Sequence, residues 1–109
     1  LLGAAGQRDI GVLFPDRDPA FLNISSMLLL QTVMQRLGAL GLRVGNVDVT
    51  VLAQRPKLSD YIPRMRARLA EGLGVSEQRV NIKATTEEGL GFTGRGEGIA
   101  CHAVCLLEE

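Results

Sequence analysis

Along residues 46–54, Val47, Val49, Val51 and Ala53 alternate with Asn46, Asp48, Thr50 and Gln54, with only Leu52 out of step. Alternation of this kind sends every second side chain to one face and predicts a half-buried β-strand, ended by Arg55-Pro56-Lys57. Val80, Ile82 and Ala84 alternate with Asn81, Lys83 and Thr85 and predict a second, shorter strand. From about Ile99 to Leu107 apolar residues occupy both faces, which predicts a strand covered on two sides, inside the domain or at an oligomer interface. Met27, Leu30, Met34 and Leu37 recur at helical spacing instead. They predict an amphipathic helix of about four turns, with N-cap candidates from Asn23 to Ser26 and Gly41 closing it in a left-handed conformation. Ile62, Met65, Leu69 and Leu73 form the stripe of another helix, expected to start at Ser59 or Asp60, with Pro63 near its first turn and Gly72 and Gly74 at its end.

The opening Leu1-Leu2-Gly3-Ala4-Ala5-Gly6 reads as the last turn of a helix ended by glycine, so further chain is expected ahead of Leu1. Asp9 to Asp18, broken by Gly11 and Pro15, is expected to be an irregular, carboxylate-rich loop. The order helix–helix–strand–helix–strand–strand places residues 1–109 in one α+β domain, a mixed sheet packed against helices.

Composition narrows the function classes. Lys plus Arg balance Asp plus Glu at twelve each, which speaks against nucleic acid as a partner, since such domains carry a basic excess. No run of apolar residues is long enough to span a membrane. Cys101 and Cys105 fall on one face of a single strand, poor geometry for a disulfide. They read as small buried hydrophobes in a reducing cytoplasm.

Chemistry concentrates in a few places. Lys83-Ala84-Thr85-Thr86-Glu87-Glu88 leaves a strand and enters a loop with glycines at 89, 91, 94, 96 and 98. Two hydroxyls, glycine-freed N–H groups and Arg95 could hold phosphates, and Glu88 could take Mg²⁺. A solvent-exposed hairpin is the plain alternative. The glycine spacing matches neither a Walker A motif nor a dinucleotide fingerprint. Asp9, Asp16 and Asp18 could bind ribose hydroxyls or a metal, against the reading of a solvated acidic loop. Arg64, Arg66 and Arg68 spread over more than one helical face and read as solvated surface. Lys57 differs, because it sits at a strand-to-helix junction suited to a phosphate. His102, the single histidine, reads as structural, since a zinc site needs three or four ligands.

Three segments together carry a family resemblance: Asp9-Ile10-Gly11 with Phe14-Pro15-Asp16-Arg17-Asp18-Pro19; Gly45-Asn46-Val47-Asp48 leading to Ala53-Gln54-Arg55-Pro56-Lys57; and Lys83-Ala84-Thr85-Thr86 with Gly91-Phe92-Thr93-Gly94-Arg95-Gly96-Glu97-Gly98-Ile99-Ala100. In this order and spacing the chain resembles the 2-C-methyl-D-erythritol 2,4-cyclodiphosphate synthase family, over nearly its whole length. The resemblance implies a homotrimer with active sites between neighbours, in the cytoplasm of a bacterium. It implies conversion of 4-diphosphocytidyl-2-C-methyl-D-erythritol 2-phosphate to the cyclic diphosphate with release of CMP, supported by zinc and by magnesium or manganese.

By matching motif, Asp9, Ile10 and Gly11 would hold the cytidine ribose, and Phe14, Pro15, Asp16, Arg17 and Asp18 would lie against the methylerythritol end. Ala53, Gln54, Arg55, Pro56, Lys57, Leu58 and Ser59 would wall the cytosine pocket. Thr85, Thr86, Glu87 and Glu88 would line the diphosphate, with Thr86 stabilising the transition state and Glu88 binding magnesium. Phe92 and Arg95 would complete the site, Arg95 and Glu97 lying toward a trimer axis that holds an isoprenoid diphosphate in some members. Glu87 stands where the family has a third Thr, and Gly89 where it has a basic residue. The family's zinc ligands, an Asp-x-His and a later His, would fall upstream of Leu1. This stretch by itself is therefore expected to be inactive. It would then act as a module binding cytidine nucleotide, or as a subunit that only assembles trimers.

Overall fold

The computed structural model describes all of residues 1–109. Its centre is β1 (Arg43–Leu52), flanked by β2 (Val80–Thr85) and β3 (Ala100–Glu108) in a three-stranded sheet of order β2-β1-β3. β1 and β2 run parallel, joined across α3 (Ile62–Leu73), whereas β3 is antiparallel to β1. The parallel pair follows from the helix between the strands, which gives the chain length to cross back before pairing. Register puts Val47 beside Val80 and Cys105, and Val49 beside Ile82 and Ala103. The valine face thereby runs across all three strands.

That face meets the helices. Val44, Val47, Val49, Val51 and Ala53 join Val80, Ile82, Ala70 and Leu73 in one buried cluster. The helix α2 (Ser26–Ala39) starts at Ser25, whose hydroxyl accepts from the Met27 N–H at 3.2 Å. It ends as expected, with Gly41 at φ +75° and the Leu42 N–H reaching back to the Leu37 carbonyl at 2.9 Å. Its buried residues are Val33 and Leu37, while Met27, Leu30 and Met34 are half-buried. The stripe is turned because a second cluster of Leu2, Phe14, Val33 and Leu37 packs on that side. Phe14 meets Phe21 edge-on, with centroids 5.2 Å apart.

Several expectations are corrected. The Asp9–Asp18 region is not wholly irregular: it contains a one-turn helix, α1 (Ile10–Leu13). A 3₁₀ turn, Pro19–Phe21, follows, where Pro19 presets φ and the Asp18 carboxylate accepts from the Ala20 N–H at 3.0 Å. α3 starts at Ile62 rather than at Ser59 or Asp60, because the Leu58 carbonyl takes the N–H groups of Tyr61 and Ile62 in a preceding turn. The glycine-rich stretch is not an open hairpin: it holds a further helical turn, α4 (Gly91–Gly94), with Thr93 and Gly94 buried. β3 is not covered on two sides within the chain. It is an edge strand with Val104 73% and Leu106 61% exposed, so an interior position is excluded. Cys101 is accordingly exposed and Cys105 half-buried, both as free thiols. No helix is long and apolar enough to cross a membrane.

Candidate functional site

β1 and β2 are parallel, so their C-terminal ends lie side by side, and the chain must leave both at the same edge of the sheet. Ligands of parallel sheets bind at this edge, where the connecting loops diverge. The Ala53 N–H donates to the Thr85 carbonyl at 3.0 Å, carrying the ladder one step past β1. Beyond it the two exits separate around a cleft of about 410 Å³, lined by Ala53, Gln54, Pro56, Lys57, Leu58, Ser59, Ile62, Ala84, Thr85 and Thr86. Arg55–Pro56 is a cis peptide.

Most of the residues expected to wall a cytosine pocket and hold a diphosphate are thus brought together. Arg55, Glu87 and Glu88 do not line the cleft, while Ile62 and Ala84, not named beforehand as site residues, do. The Thr85 hydroxyl donates to the Thr86 carbonyl at 3.3 Å, and the Thr86 hydroxyl accepts from the Glu88 N–H at 3.2 Å. The Thr86 hydroxyl proton therefore stays available to an incoming oxygen. Lys57 is exposed beside them and forms no ion pair.

After Thr86 the backbone turns through two consecutive left-handed residues, Glu88 at φ +53° and Gly89 at φ +81°. Glycine adopts this freely, but glutamate does so at a cost of about 1–2 kcal/mol. The turn leads into α4, whose Phe92 is half exposed. Arg95 is closed onto Glu97 at 2.6 Å, both side chains exposed to solvent.

The other expected residues lie elsewhere. Ile10, Phe14, Pro15 and Asp16 line a separate cleft of about 300 Å³ with Phe21, Leu22, Asn23, Ile24 and Leu29. It shares no residue with the first. Asp9 stands with Arg8 and Ile10 at a largely apolar trough of about 490 Å³ beneath the sheet. Gly11, Arg17 and Asp18 line none of these cavities, and Asp18 is engaged by the Ala20 N–H. Within one chain the two groups of expected residues therefore lie on separate clefts.

On the opposite face of the sheet, Asp48 accepts from Lys83 Nζ at 2.7 Å and from Asn81 Nδ2 at 3.1 Å. The Lys83 hydrogen bond foremost, with that of Asn81, holds the Asp48 carboxyl below its ordinary pKa. None of these three residues lines the clefts. His102 pairs with Thr50 on this same exposed face.

Metal fit can be judged from the donors. No three His, Cys, Asp or Glu side chains gather in a way that could hold a metal ion. A zinc site of three or four protein ligands does not fit these residues. Magnesium makes smaller demands, because it keeps several waters and needs one or two carboxylates plus substrate phosphates. Glu88, exposed next to Thr86, fits that role.

The YgbB family model matches residues 1–108. The 2-C-methyl-D-erythritol 2,4-cyclodiphosphate synthase of Escherichia coli O127:H6 is 60% identical over 107 residues, covering 98% of this chain and 67% of that protein. Among solved structures, the bifunctional IspDF of Campylobacter jejuni superposes with a TM-score of 0.92 at 45% identity, over 97% of this chain and 29% of the other. The Plasmodium falciparum IspF CDP complex gives 0.83 at 33% identity, over 97% and 63%.

Proposed function

This chain belongs to the YgbB family, and we propose that it serves cyclodiphosphate synthesis as a subunit of a homotrimer. The substrate is 4-diphosphocytidyl-2-C-methyl-D-erythritol 2-phosphate. An oxygen of its 2-phosphate bonds to the β-phosphorus, the bond from that phosphorus to the bridging oxygen breaks, and CMP leaves with the electron pair. One observation carries this reading: a cleft at the ends of two parallel strands sets a lysine, two threonine hydroxyls and the 53–59 backbone around one space. A cytosine edge suits the backbone groups of 53–59. The diphosphate suits Thr85, Thr86 and Lys57, whose charge is uncommitted.

Thr86 is the group to bear the developing charge, because its proton points to no protein acceptor and its oxygen is already anchored by the Glu88 N–H. A donor held in place beforehand stabilises a transition state without reorganisation. Glu88 would hold Mg²⁺, and zinc would be held by residues outside this chain. The metals offset negative charge on the phosphates. A bacterial cytoplasm, reducing enough for free Cys101 and Cys105, goes with this reading.

The two separate clefts support assembly. Asp9 to Asp18 and Ala53 to Thr86 belong to different surfaces, so a complete site arises where one copy meets the next head to tail. Heterologous contacts of that kind close into rings. The exposed apolar face of β3, with Val104 and Leu106, is available to such contacts. Arg95 and Glu97 would then stand near the axis, where an isoprenoid diphosphate could lie. A second reading is nucleotide binding without turnover.

The test is complementation by calorimetry. Asp9→Ala and Thr86→Val copies should each bind CDP weakly, and a refolded mixture should regain about a quarter of the sites by random assortment. A mixture no better than its components would refute a shared site.

A further inference from the structure

Gln54, grouped by motif with the walls of the base pocket, lines the cleft, and its side chain also reaches the turn that follows Thr86. Its Oε1 accepts from the Gly89 N–H at 3.3 Å, bridging 35 residues of sequence. Gly89 is the second of the two left-handed residues that follow Thr86. On its other side stands Gly94: a β-carbon there would lie 2.3 Å from the Gly89 carbonyl carbon. The Gly89 peptide is therefore held between the Gln54 amide and the α4 backbone.

From this geometry we propose that Gln54 is a positioning residue for the diphosphate half of the site, acting on Thr86 and Glu88 through Gly89. The proposal rests on the reading of this cleft as a cytidine diphosphate site. The physical chain is short. Thr86 Oγ1 is oriented by the Glu88 N–H, and Glu88 holds its strained φ of +53° only while the next peptide is fixed. Gln54 supplies that constraint from just past β1, whose valines are buried in the core, through Ala53, whose N–H is tied to the Thr85 carbonyl. Without the amide acceptor, the turn can relax and Thr86 loses its anchor. The backbone of residues 53–59 that frames the base pocket does not depend on this hydrogen bond, so the loss falls mainly on the diphosphate half.

That asymmetry makes the test. Gln54→Leu removes the acceptor at nearly equal volume, and Gln54→Glu keeps it. In Gln54→Leu, CDP affinity should fall about 3- to 10-fold further than CMP affinity, the size of one hydrogen bond. Amide exchange at Gly89, followed by NMR, should quicken in Gln54→Leu and remain slow in Gln54→Glu. Equal losses for CDP and CMP would mark Gln54 as a wall of the base pocket and overturn the proposal. Unchanged exchange at Gly89 in Gln54→Leu would overturn it equally. If the wild-type chain binds neither nucleotide, the functional reading falls, and the Gly89 exchange rates still decide whether the tether exists.

Discussion

Replacing Gly94 with alanine sets two effects of known size against each other. Gly94 closes a one-turn helix, and by helix propensity alone alanine would be favoured by about 0.8–1 kcal/mol. The packing opposes it: the new carbon would stand 2.3, 2.8 and 3.0 Å from the Gly89 carbonyl carbon, Cα and oxygen. All three are backbone atoms, so no side chain can swing aside. Carbon pairs settle at ~3.5–4 Å, so the Gly89 turn must retreat by about 1 Å or more. Overpacking of this kind costs about 1–3 kcal/mol, and a single helical turn recovers little of the propensity term. The expected net loss is about 1–2 kcal/mol, a fall of about 0.5–1 M in the urea midpoint followed by circular dichroism. CDP affinity should fall too, because the displaced turn carries Glu88 and anchors Thr86. Gly38→Ala is the matched control: nothing lies within 4 Å of its added carbon, and the midpoint should rise by the equivalent of about 0.5–1 kcal/mol. An unchanged or raised midpoint for Gly94→Ala would refute the claim that Gly89 is wedged in place.

Leu37 is fully buried at 0% exposure, so Leu37→Ala should cost about 2–5 kcal/mol by urea titration. Asp48 has a depressed folded pKa, so its contribution to stability is present above its unfolded pKa and lost as pH falls through the folded one. The wild-type advantage over Asp48→Asn in urea midpoint should therefore be present at pH 7, begin to shrink below the ordinary carboxyl value of about 3.9, and vanish only as pH passes below the depressed folded pKa. Glu88→Gly should relieve the left-handed strain and raise stability by about 1 kcal/mol, while removing the magnesium dependence of CDP binding measured by calorimetry.

Where a residue's partner lies within a few positions, the sequence was readable. Val47, Val49 and Val51 announced β1 because a strand's period of two shows in any half-buried segment. Gly41 and Gly74 marked helix ends because only glycine enters the left-handed region freely. The 53–59 and 85–86 segments could be named as candidate site residues from their motifs, before their placement around one cleft was known.

What lay outside reach depended on neighbours remote in sequence. The inner face of α2 was misjudged because Leu2 and Phe14, not the helix itself, decide that Val33 is buried. The apolar run of β3 said that both faces would be covered, and only the sheet order β2-β1-β3 revealed an exposed edge. Gln54 lines the cleft as its motif suggested, but its hydrogen bond to Gly89, 35 residues away, was not legible. By itself the sequence determined the strands, the helix ends, the α+β class and the family. The tertiary structure alone decided that Asp16 and Thr86 occupy separate clefts of one chain, because local periodicity records which way a side chain points and not what it meets.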